Sequence, residues 1–249
     1  TFLPFSFYFF TFLPFYFYIM ANLKSLLKET AIYGLSSIAA RFIGYLLVPI
    51  ETAKFSATGG QYGIITNIYA YIALLIIILT YGMETTFFRF MNRPGEDPKK
   101  VYATTLRMVA TTSLIFILLL WVFLHPIAGA IGYPDHPEFI MIMGTCVAVD
   151  AFCAIPFAYL RYAHKALKFA LLKMVSIVVN IVGVSLYLIV LPAMHFNLFG
   201  IYDTNFDLQV VWIFWIELSG SVLTLLLLGK ELKDFSNPFD KATCKRMLS

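Results

Sequence analysis

Residues 62–83 read YGIITNIYAYIALLIIILTYGM, 22 positions without one charged side chain. A helix needs about 20 predominantly apolar residues to cross a hydrocarbon core about 30 Å thick. This stretch meets that length, and five others do so as well: Thr30–Ile50, Val101–Leu124, Phe139–Leu160, Leu171–Leu191 and Val210–Leu228. The second span reads on as helix toward Met91, because Thr85–Met91 holds no breaker, and stops at the cluster Asn92-Arg93-Pro94-Gly95. Pro49 and Pro156 each remove a helical donor and so allow a local bend.

The composition of the whole chain supports the same reading. Of 249 residues, 60% are hydrophobic, 17% aromatic and 13% charged, against roughly 45–50% apolar and about 25% charged in soluble domains. Too little polar sequence is left to coat a water-soluble core. Disorder is excluded because 25 Phe and 15 Tyr in a low-charge chain collapse or enter lipid. Three cysteines do not make a disulfide scaffold. The fold class that follows is an all-α polytopic membrane protein with six transmembrane helices.

Direction comes from the basic residues. Fifteen of the 18 Lys and Arg fall before the first span, between the second and third, around the turn between the fourth and fifth, or after the sixth. Lys54 alone falls in the opposite loops, while Arg41 and Arg107 lie within spans. Both termini are therefore expected in the cytoplasm.

Residues 1–19 stand apart. Thr1-Phe2-Leu3-Pro4-Phe5 recurs as Thr11-Phe12-Leu13-Pro14-Phe15, each copy followed by more Phe and Tyr. The stretch lacks a basic leader and a small-residue cleavage site, and its prolines suit a spanning helix badly. It is expected to be translated upstream sequence with Met20 as the natural start, the alternative being an interfacial anchor. Residues 20–229 then form the six-helix transmembrane lobe, and residues 230–249 a cytoplasmic segment.

Charge inside hydrocarbon costs about 2.5–3.5 kcal/mol per residue on insertion scales, so such groups face protein or water. Arg41 shares a helical face with Gly34, Ser37 and Gly44, a row of small groups that permits close approach. It reads as an anion site in a central cavity or as a structural ion pair. Asp150 lies mid-span, and Glu217 shares its face with Gly220, Ser221 and Thr224. Either carboxylate suits an Arg41 partner or a coupling-ion site. Lys173, Ser176, Asn180, Gly183 and Tyr187 form another stripe, in which Asn180 reads as interhelical glue or a substrate contact. Glu84, Arg89 and Arg107 are structural or interfacial charges, with Glu84 expected to pair with another helix and Arg107 to snorkel.

The four histidines are scattered, so no metal site is expected. Neither a nucleophile–base pair nor a phosphate loop stands out. Catalysis, a cofactor and nucleic-acid binding are not expected; membrane lipids are.

Leu23–Gly44, Leu47-Val48-Pro49, Phe55-Ser56, Tyr62-Gly63 and above all Tyr81-Gly82-Met83-Glu84-Thr85 with Phe87-Phe88-Arg89-Phe90 resemble bacterial polysaccharide and O-antigen flippases. The turn Arg161–Leu172 and the tail Phe239–Leu248 share the likeness, which spans about residues 21–249. These flippases belong to the multidrug/oligosaccharidyl-lipid/polysaccharide exporter superfamily. The resemblance implies two six-helix lobes around a cavity, this chain supplying the first, with a second lobe or another copy needed to close it. It also implies a polyprenyl-diphosphate-linked oligosaccharide as substrate, Arg41 as its contact, and a bacterial inner membrane as the location; the residues within the spans add Asn180 as a substrate contact and Asp150 or Glu217 as the ion-coupling group. Ala40-Arg41-Phe42-Ile43-Gly44 matches the first-helix arginine of related lipid II flippases, but Leu47 and Val48 stand where those carry a second arginine. Glu51 before Thr52 replaces the family's aromatic residue. The rival readings are a cation-coupled multidrug exporter, an integral membrane polysaccharide polymerase or ligase, which would need larger external loops, and an inactive fragment.

Overall fold

A computed structural model describes residues 27, 30–36, 38–39, 42–55, 60–193, 206–236 and 239–248. The aromatic repeat at 1–19, Ser37 and Arg41 lie outside the described residues. The described chain is helical throughout, with no strand among those residues. Its helices are α1 (Leu47–Lys54), α2 (Gln61–Thr80), α3 (Met83–Met91), α4 (Pro98–Val122), α5 (Leu124–Ile131), α6 (Pro137–Tyr162), α7 (Ala166–Ser185), α8 (Phe206–Leu227) and α9 (Lys241–Leu248). Five helical stretches among the described residues are long and apolar enough to cross a membrane, Gln61–Met91, Pro98–Val122, Pro137–Tyr162, Ala166–Ala193 and Gln209–Lys233. The protein is a multi-pass, all-α membrane protein. The expected first span is described only in part, with residues 30–36, 38–39 and 42–44 helical.

Local chemistry sets the helix ends. Asp97 caps α4, its Oδ1 accepting from the Lys99 N–H at 3.0 Å, and Pro98 takes the first-turn position where no donor is needed. Pro137 opens α6 in the same way, and α6 then runs unbroken through Pro156 to Tyr162. Pro49 has the expected effect one turn earlier: a turn at Tyr45–Leu46 separates residues 42–44 from α1, since the proline cannot donate to Tyr45. The Asp240 carboxylate accepts from the Ala242 N–H at 2.9 Å and the Thr243 hydroxyl at 2.6 Å, which starts α9 and holds this carboxyl below the usual range.

Two expectations are corrected. The second span is not continuous: Tyr81 (φ 32°) and Gly82 (φ 71°) are both left-handed, splitting it into α2 and α3. Gly82 takes that conformation without steric penalty, and its flexibility outweighs the absence of a breaker after it. The stretch His125–Glu138 between the third and fourth spans, expected as a short external loop, is in part helical. Residues 124–131 form α5, closed by Gly132 at φ 94°, whose neighbour Tyr133 donates to the Ala128 carbonyl at 2.8 Å.

Helix α6 is the hub, packing most extensively against α4, α8 and α2. Its most apolar stretch is 67% buried, against 17–33% for the other four spans, which leave broad apolar faces for lipid. One end of the bundle is knitted by Ile65, Phe139, Tyr187, Val210 and Phe214, the other by Met83, Phe87, Tyr102, Leu106 and Met247. The basic loops gather at the latter end. There α9 folds back onto α4, with Arg246 paired to Glu96 at 3.0 Å.

Small residues let the helices approach. A Cβ at Gly183 of α7 would stand 2.6 Å from Ile216 Cγ2 on α8, and a β-branched side chain has little rotamer freedom to yield. Gly183→Ala is therefore expected to destabilise the bundle by about 1–3 kcal/mol. Thermal unfolding in detergent measures this, with the open, conformationally ordinary Gly63 as the control position for the same change.

Candidate functional site

Helical spacing puts chemistry on three facing surfaces. On α6, Asp150, Cys153, Phe157 and Arg161 recur at intervals of three and four, as do Glu217, Ser221 and Thr224 on α8. Both rows, with Lys173 and Ser176 of α7, line a cavity of about 690 Å³. Ile72, Ile76 and Thr80 of α2 and Glu84 of α3 complete the wall. The break at Tyr81-Gly82 thus falls where the cavity wall passes from α2 to α3.

The charges in this chamber are held in two ways. Glu84 of α3 forms an ion pair with Arg161 of α6. The Arg161 guanidinium also lies 5.4 Å from the Phe88 ring and 5.7 Å from the Phe169 ring, and its buried Nε has no hydrogen-bond partner. Lys173 sits 4.3 Å over the Phe157 ring, an attraction worth about 0.5–2 kcal/mol. Asp150 opens on the same chamber, and the Cys146 thiol lies 4.0 Å from its Oδ2. Two cations and three carboxylates therefore share one hollow within the spans.

Glu217 borders a second hollow, of about 490 Å³. Gly44, Tyr45 and Glu51 approach it from the first span and α1, Tyr62 and Tyr69 from α2, and Asn180 from α7. The Tyr69 hydroxyl donates to Glu217 Oε2 at 3.2 Å, and its ring stands edge-on to Phe214 at 6.5 Å. Glu51 is only 6% exposed and its carboxylate makes no hydrogen bond or ion pair among the described residues. Burial raises that carboxyl to about 7.

The structure thus brings Asp150 and Glu217 to one chamber, and Asn180 and Glu217 to the next. Glu84 pairs across helices, Arg89 is exposed and Arg107 half-buried. The polar stripe on α7 divides: Lys173 faces the first cavity, Asn180 the second, Ser176 borders both, and Gly183 packs on α8. Beyond it, the π-helical turn Leu186–Val190 changes the register and Tyr187 is buried. Two wall residues carry no site assignment in the sequence. Arg161 stands among the basic residues that orient the chain, and Tyr69 is one tyrosine among many, whereas Lys173 already heads the polar stripe of the fifth span. The three-and-four spacing of Asp150, Phe157 and Arg161 carried the signal for the first. Comparison with protein-family models, curated proteins and solved structures gives no match to this chain.

Proposed function

We propose that the protein is one lobe of a bacterial inner-membrane flippase for an oligosaccharide carried on a polyprenyl diphosphate. The reading rests on the sequence resemblance and on one observation above others: Lys173 and Arg161 lie in a charged chamber among apolar spans. A lipid-linked diphosphate combines an anionic group, a polar sugar and an apolar tail. The chamber offers cations to the first and hydroxyls to the second, while the exposed apolar faces of the spans suit the third. Arg41, outside the described residues, belongs to the same scheme through the sequence resemblance. A second lobe, or another copy of the chain, closes the cavity, and rocking of the lobes opens it to each side in turn. Asp150 and Glu217 are the groups through which a coupling ion acts.

The test is genetic and chemical together. Deleting the gene should abolish surface polysaccharide while lipid-linked oligosaccharide accumulates in the inner leaflet of the membrane. Normal surface polysaccharide, with no accumulated lipid-linked precursor, would refute the proposal.

A further inference from the structure

The second hollow carries the opposite charge from a phosphate site. Its described lining contains two carboxylates, Glu51 and Glu217, and neither Lys nor Arg. A buried carboxylate without a partner is costly unless something neutralises it. Glu51 is in that position, 94% withdrawn from solvent with no polar partner among the described residues, yet forming part of a cavity wall. Tyr45, Tyr62 and Tyr69 stand in the same wall, and Asn180 adds an amide.

We propose that this hollow binds a small organic ammonium ion, its nitrogen between Glu51 and Glu217 and its carbon groups against the tyrosines and aliphatic side chains. Three features favour this occupant over an inorganic cation. The hollow, about 490 Å³, is in the range of organic-ligand pockets. A hard metal ion takes six to eight oxygen ligands, whereas no third Asp, Glu, His or Cys joins the pair among the described residues, and the Tyr69 hydroxyl already donates to Glu217. Tyrosine walls attract ammonium and alkylammonium groups through the ring quadrupole. The site shares Glu217 and Asn180 with the flippase reading but uses none of the cations of the first chamber, and it is built on the glutamate at which this chain departs from the flippase pattern.

The titration of Glu51 gives the site a pH signature. The groups sharing its cavity are Tyr45 just before α1, Tyr62 and Tyr69 on α2 and Glu217 on α8; α7 contributes the non-titrating Ser176 and Asn180, and Lys54 on its own helix is exposed. A carboxyl raised to about 7 is largely neutral at about pH 6 and largely ionised at about pH 8. An amine that stays protonated across that interval should bind more tightly at the higher value.

The experiment is calorimetric titration of the detergent-solubilised full chain with 2-phenylethylamine, and with 2-phenylethanol as its uncharged counterpart. The amine should bind, the alcohol should bind at least about tenfold more weakly, and Glu51→Gln should weaken the amine about tenfold or more. Asn180→Leu, which fills the hollow without touching either carboxylate, should weaken it too, and Lys54→Gln should not. Thermal unfolding establishes that each variant is folded. Equal binding of amine and alcohol, unchanged amine affinity in both Glu51→Gln and Asn180→Leu, or displacement of the amine by stoichiometric calcium chloride would each overturn the proposal.

Discussion

Lys168→Ala is expected to lower the stability of the bundle at its basic end by about 2–3 kcal/mol, a large loss for a half-exposed side chain. Lys168, near the start of α7, reaches Glu231 Oε1 at 2.5 Å, and the Glu231 side chain is only 4% exposed. Its Oε2 is buried without a hydrogen-bond partner, so the lysine is what holds the charge. Breaking a buried pair by removing one member costs about 3–5 kcal/mol, because the remaining charge is left desolvated. Lys168 itself is 35% exposed, so water screens part of that loss and the lower figure applies. Glu231→Gln should cost less, since it leaves no buried charge. The double variant should resemble Glu231→Gln alone, giving a coupling of about 2–3 kcal/mol, the whole of the Lys168→Ala loss, in a double-mutant cycle. Additive losses would show that the pair is not the unit of stability. The consequence is architectural as well as energetic. Glu231 belongs to the 3-10 turn Leu228–Ser236 that extends α8, and the Tyr102 hydroxyl of α4 donates to its carbonyl at 3.1 Å. One residue thus ties the ends of α4, α7 and α8 together, through its carboxylate to Lys168 and its backbone carbonyl to Tyr102.

That pairing shows where reading residues in order reaches its limit. The spans were legible because each is a contiguous stretch long enough to cross hydrocarbon, and insertion into lipid depends on that contiguous property. The faces were partly legible: Glu217, Ser221 and Thr224 share a helical row and share a wall in the structure. Partners separated by 63 or 77 residues, as in Lys168–Glu231 and Arg161–Glu84, leave no periodic trace. They depend on which helices become neighbours, and the loops do not encode that. The Tyr81-Gly82 break was hidden for another reason. Glycine is common within membrane helices, and its left-handed conformation here depends on the packing of α3 against α4 and α6. Glu51 was visible only as an anomaly in a pattern. Its meaning appeared once α1, α2, α7 and α8 were seen to enclose it with Tyr69 and Glu217.

The largest functional loss is expected at Lys173, and it should differ in kind from the loss at Asp150. Among the described residues Lys173 is a chamber cation with no carboxylate within ion-pair distance, held instead 4.3 Å above the Phe157 ring. An ammonium on an aromatic face retains free N–H donors, which makes it available to an incoming phosphate oxygen. A hydrogen bond to a charged group contributes about 1.5–3 kcal/mol, so Lys173→Ala should weaken binding of a polyprenyl diphosphate about 10–100-fold. Lys173→Arg should restore part of it, since the charge returns with a different reach. Asp150→Asn should behave in the opposite sense at the binding step. Removing a carboxylate from the chamber that holds Lys173 takes away a repulsive charge, so the diphosphate should bind as tightly or more tightly. If Asp150 carries the coupling ion, that same variant should lose net translocation driven by an ion gradient while still exchanging lipid between leaflets. A fluorescent polyprenyl diphosphate, followed for both binding and leaflet transfer in membranes containing the complete transporter, separates these effects. Parallel loss of binding and transfer in both variants would mean that the two groups serve only to hold the helices together. Loss of binding in Lys173→Ala beside retained binding in Asp150→Asn would place the anion on α7 and the driving ion on α6.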